Sequence, residues 1–177
     1  MNKRVSGFTI VELLIVIVVI GILAAITLVA YNGVQQRALN TARISEVDAW
    51  QKQFMLYYAA TGGNPAVASG NYCLGTGFPN GACRNYKETG SNTYYESNNA
   101  TLMSLMQQEN KGSLPSGPRD PVNNAYVGPF VNIWANDTGF SIFQFFTGKS
   151  TDCPLPMTYL WDDGNNSVMC QLNVQFS

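Results

Sequence analysis

Glu12 is the residue with most to explain. It lies in the run FTIVELLIVIVVIGILAAITLVA, residues 8–30, which holds no other charge. A carboxylate at the centre of a bilayer-spanning helix costs about 3 kcal/mol, less near an interface, and so marks a functional site by default. Glu12 stands one helical turn after Phe8, and Phe8 follows the small residue Gly7. Scission after Gly7 would create an ammonium at Phe8, and the helix N-terminus adds partial positive charge there. The carboxylate could then pair with its own terminus or with that of a neighbouring copy. With a neighbour as partner, neutralisation in lipid would require assembly.

Two other patterns could carry chemistry. Cys73, Cys83, Cys153 and Cys170 lack the two-residue spacing of a zinc knuckle or a redox pair. An even count behind an export-type N-terminus suggests disulfides in an oxidising compartment. Three connectivities are open, and the local pairings, Cys73 with Cys83 and Cys153 with Cys170, are expected. A loop of ~15 residues closed in this way contributes about 3 kcal/mol in the chain-entropy model. Asp162 and Asp163, in the string DDGNN, offer oxygen ligands of the kind calcium takes. Their spacing is not that of an EF-hand loop, and the string is already good turn chemistry, so neither a metal nor a cofactor is expected. Histidine is absent from the sequence. That removes Ser-His-Asp and Cys-His catalysis, imidazole ligands and the usual near-neutral proton shuttle, so an enzyme is not expected.

The elements that position Glu12 begin with the apolar run itself. As a helix it spans about 35 Å, enough to cross a ~30 Å hydrocarbon core. A secretory signal would carry its small-residue cleavage site behind the apolar stretch. Here the small residue, Gly7, stands in front of it, after the short basic leader MNKRVSG with Lys3 and Arg4. Cutting there keeps the apolar helix and gives it a new start at Phe8.

These residues resemble the class III signal shared by type IV pilins and type II secretion pseudopilins. In that signal a short basic leader ends in Gly and is followed by Phe, Thr, a hydrophobic pair and Glu. The match runs through Gly7, Phe8, Thr9, Ile10, Val11 and Glu12, and covers about the first 35 residues. Many pilins carry a Pro well inside the apolar helix, whereas this segment has none and Gly21 is its one weak point for local melting. The resemblance implies that a prepilin peptidase cuts after Gly7 and methylates the Phe8 amine. It also implies that Glu12 sets subunit registration while an ATPase and an inner-membrane platform drive assembly. The partners implied are further copies of the chain, that machinery and the membrane.

Beyond residue 30 the pattern turns amphipathic. Ile44, Val47, Trp50, Phe54 and Tyr57 recur at spacings of three or four and predict one buried face. Arg43, Glu46, Asp48 and Lys52 are assigned to the solvated side. The helix is expected to stop near Ala60, before Gly62 and Gly63. Residues 62–98 read as a long loop with one possible short strand. A short helix is expected at 99–108, a turn-rich connector at 115–121, and strands at 125–134, 139–146, 157–161 and 168–174. Asp162 to Asn166 joins the last two strands as a hairpin loop.

The expected fold is α+β, a pilin-like ladle with a long N-terminal helix packed on an antiparallel sheet of about four strands. Its divisions are a leader at 1–7, a transmembrane or filament-core helix at 8–30, an amphipathic continuation at 31–60 and a globular head at 61–177. Charged residues make up 12% of the chain and the net charge is −1, so no specific nucleic-acid partner is predicted. The leading expectation for function is a structural subunit of a type IV pilus, major or minor. The alternatives are a pseudopilin of a secretion or DNA-uptake machine and a membrane-anchored periplasmic enzyme or binding protein. The expected location is the inner membrane, as a single-pass precursor with its head outside, and then the cell surface or a periplasmic pseudopilus.

Overall fold

The computed structural model describes residue 7 and residues 9–78, 82–84, 99–122, 127–135, 138–162, 164 and 166–176. Helix α1, Ile10–Thr61, is followed by strand β1, Gly70–Cys73, and helix α2, Ala100–Asn110. Strands β2, Phe130–Ile133, β3, Gly139–Thr147, β4, Thr158–Asp162, and β5, Ser167–Gln175, complete the fold. Contacts divide the chain into two units, residues 1–38 and 39–177, and α1 runs through the division.

In the first unit the large apolar side chains from Ile10 to Leu28 are exposed. The helix is long and apolar enough to cross a membrane, and the apolar window that meets this test is unburied. Gly21 does not interrupt it.

The second unit closes a core around a five-stranded sheet, in the order β1-β2-β3-β5-β4, with every pairing antiparallel. Strand β1 is the short strand allowed for in the 62–98 region. The start of the 125–134 run falls partly outside the described residues, and its regular strand begins only at Phe130. Val47, Trp50, Phe54 and Tyr57 of α1 pack with Leu102 and Met106 of α2 against Phe140, Ile142, Phe146, Val168 and Leu172. The Phe54 and Phe140 rings stack at 4.6 Å. Helix α1 ends as its sequence directs. Gly62 takes φ +80°, the left-handed conformation that glycine adopts at no steric cost, and its N–H donates to the Tyr58 carbonyl at 2.7 Å. Helix α2 starts where the Asn99 side chain accepts the Leu102 N–H at 3.0 Å.

Strand β3 does not alternate between a core face and a water face, although its sequence reads that way. A second apolar cluster, formed by Phe78, Cys83, Val122 and Val127 with Phe130, Phe145 and Met169, covers the other side of the sheet. Phe140, Ser141, Ile142, Gln144, Phe145 and Phe146 are therefore all buried. Of the strand's buried polar side chains, Gln144 accepts the Phe145 N–H at Oε1 at 2.8 Å, while its Nε2 has no hydrogen-bond partner among the described residues. The Ser141 hydroxyl donates to Asn173 Oδ1 at 2.7 Å and accepts the Trp134 indole N–H at 3.1 Å. Both ends of β3 are tied to α1 and the turn after it. The Asn40 amide donates to the Thr147 carbonyl at 2.8 Å and accepts the Thr147 N–H at 3.2 Å. Asn64 donates to the Gly139 carbonyl at 3.0 Å.

Candidate functional site

Thr9 and Glu12 form a reciprocal cap on the first turn of α1. The Glu12 carboxylate accepts the Thr9 backbone N–H at 2.7 Å and the Thr9 hydroxyl at 2.8 Å. The Glu12 N–H in turn approaches Thr9 Oγ1 at 3.2 Å. This is the capping box, in which residue N3 satisfies the N-cap donor and the N-cap side chain serves N3. Spacing alone forces the meeting, because positions three apart at a helix start share one face. Gly7 is exposed, with nothing within 4 Å of where a side chain would begin. Phe8 and the leader residues 1–6 lie outside the described residues. Glu12 therefore sits on an exposed first turn, and Gly7 is unobstructed. Its hydrogen bonds use donors that lie within its own turn.

The cysteines pair as Cys73–Cys83, with Cα atoms 5.6 Å apart, and Cys153–Cys170, at 5.7 Å. The first closes the loop that carries Phe78 to the second apolar cluster. The second ties the segment before β4 to the middle of β5. Asp162 serves the turn it belongs to, its carboxylate accepting the Tyr159 hydroxyl at 3.0 Å and the Gly164 N–H at 3.1 Å. Asp163 lies outside the described residues, and among those described no three His, Cys, Asp or Glu side chains gather as a metal site.

The solvated assignment of Arg43 and Glu46 is corrected by the structure. Both are buried, at 1% and 2% exposure. Arg119, from the 115–121 connector, grips Glu46 with two nitrogens at 2.8 and 3.1 Å. Its Nε donates to the Thr76 carbonyl at 2.9 Å, and its guanidinium lies 4.4 Å from the centre of the Phe78 ring. Arg43 donates to the Asp120 carbonyl at 2.8 Å. Gly117 passes so close that a Cβ there would run into the Glu46 carboxylate. Burial pushes the Glu46 carboxyl above its ordinary value of 4.5, while the hydrogen bonds and charge of Arg119 pull the other way. Burial likewise lowers Arg43, against the neighbouring acids Asp120 and Glu46. A signal for this cluster was present in the sequence. Arg43 falls four residues before Val47 and seven before Trp50, on the same stripe, and the stripe outweighs the polarity of the side chain.

The family model described as a prokaryotic N-terminal methylation motif matches residues 2–28. The type IV major pilin protein PilE1 of Neisseria gonorrhoeae is 30% identical over 165 residues, which cover 92% of this chain and 84% of that protein. A fimbrial protein of Neisseria meningitidis serogroup A is 28% identical over 149 residues, covering 84% of this chain and 76% of its own length. No solved structure matches the chain.

Proposed function

This chain belongs to the type IV pilin family, and from that premise we propose how it matures and assembles as a structural subunit of a type IV pilus. A prepilin peptidase removes residues 1–7 and methylates the new Phe8 amine. The apolar helix then holds the precursor in the inner membrane, with the disulfide-bonded head outside. Assembly on a membrane platform, driven by an ATPase, moves that helix from lipid into a filament core of identical helices.

The observation that carries this reading is the Thr9–Glu12 cap on an unburied apolar helix. The cap holds the carboxylate at a fixed place on the first turn and gives it two hydrogen-bond donors. In sequence, Glu12 stands one helical turn after Phe8, where cleavage would create an ammonium. A neighbour's amine offers a full opposite charge, which in a low-dielectric surrounding outweighs hydrogen bonds from neutral donors. Glu12 therefore gains by exchanging part of its local cap for a second copy. Both named relatives are pilus proteins, which favours the pilus over a secretion pseudopilus. The chain acts as a building block, without catalytic chemistry of its own.

Intact mass of the mature protein tests the maturation. The expected value corresponds to a chain beginning at Phe8 with one added methyl group. Retention of residues 1–7, or loss of the apolar run, would overturn it.

A further inference from the structure

The two edges of the sheet are finished differently. Strand β1, at one edge, spans four residues, begins with Gly70 and carries Asn71, whose side chain is hydrogen-bonded to Asn132 at 2.7 Å. Strand β4, at the other edge, reads Thr158-Tyr159-Leu160-Trp161-Asp162. Tyr159, Leu160 and Trp161 are 46%, 46% and 39% exposed, and Leu155 just before the strand is 93% exposed. Strand β4 pairs with β5 on one side, and among the described residues no strand pairs with its other side. A bulge at Leu160 is its one structural guard, since Tyr159 stands opposite Cys170 and Trp161 opposite Met169. Lysine and proline, the usual guards of a free edge, are absent from the strand. A large apolar edge of this kind is a template for another strand.

We propose that β4 is a self-complementary contact through which two pili associate side by side, each contributing one copy of this chain. The order of residues supports a second copy as the occupant. An antiparallel pairing centred on Leu160 sets Leu160 against Leu160, Tyr159 against Trp161 and Thr158 against Asp162. Leucine meets leucine and aromatic meets aromatic, the kinds of cross-strand pair that stabilise sheets. The strand's single charge, Asp162, meets a hydroxyl, and the two copies of Asp162 lie at opposite ends of the pairing. Such a contact has two-fold symmetry and closes on itself. Subunits within one helical filament are related by a screw operation, so the contact falls between filaments. This inference rests on the pilus reading above.

Leu160→Cys and Leu160→Lys, made in the full chain and studied in pili sheared from cells, test it. Only a two-fold contact brings Leu160 against its own copy. Mild oxidation of Leu160→Cys pili should therefore yield a disulfide-linked dimer that reductant collapses. Leu160→Lys should disperse bundles into single filaments of normal length under electron microscopy. Dispersal and a dimer together support the proposal. Wild-type filaments that never bundle, bundles that survive Leu160→Lys, or oxidised Leu160→Cys pili without a dimer would each overturn it. Loss of single filaments in Leu160→Lys would place the contact within the filament and overturn it too. If the wild-type chain forms no filament at all, the pilus reading fails with it.

Discussion

Helix α1 carries two glutamates whose charges are met in opposite ways. Glu12 stands on the exposed apolar stretch and is served by Thr9, three residues away. Glu46 is buried in the head and is served by Arg119, which the fold brings from 73 residues away. A local cap forms as soon as the helix does, and it leaves the carboxylate exposed and open to a further partner. A long-range grip forms only when the head closes, and its partner is specific. The first glutamate suits an assembly that must still happen, whereas the second secures a structure already complete.

The sharpest way to break this contrast is to remove each glutamate's partner. Arg119→Ala leaves the Glu46 charge buried without its main counter-charge, and should cost about 3–5 kcal/mol in denaturant unfolding of the detergent-solubilised protein. A far smaller loss would mean that Arg43 alone can hold Glu46. Glu12→Ala should change head stability little and leave membrane insertion intact, while incorporation into filaments falls severely, as counted by immunolabelled electron microscopy. Unaltered incorporation would contradict the role proposed for Glu12.

Smaller effects sharpen the same comparison. Asn40→Ala removes both hydrogen bonds to Thr147 and should cost about 2 kcal/mol by the same unfolding measurement. Thr9→Val removes the hydroxyl and should cost the helix start about 1 kcal/mol. Hydrogen exchange at the first-turn amides should show the change, with exchange in the head unaltered.

Glu46 also predicts a pH dependence. Its carboxyl lies above the ordinary value in the folded chain, so the folded state holds that proton more tightly than the unfolded state does. The stability it contributes is fully present below about pH 4.5 and is lost as pH rises through the higher folded value. Glu46→Gln should remove this fall from a profile of melting temperature against pH between 4 and 7. An identical slope in both proteins would show that Glu46 titrates normally.

The apolar helix of the first unit could be read from the order of residues, whereas its Thr9–Glu12 cap was not foreseen, although it spans a single turn. An apolar run of membrane length, a lone carboxylate in its first turn and a threonine three positions earlier interact over a single helical turn, so nearest-neighbour geometry decides them. The end of α1 at Gly62 and the start of α2 at Asn99 are legible for the same reason. The head was legible as a list of elements, but not in what covers them. Residues 139–146 read as an alternating strand because no local feature shows that the Cys73–Cys83 loop packs on the other face. Arg43 and Glu46 read as solvated because charge normally avoids burial, and the counter-charge that reverses this comes from a connector remote in sequence. Local hydrogen bonding and hydropathy are written into the chain. Burial by distant segments, and the charge pairs it permits, arise only once the tertiary fold excludes water.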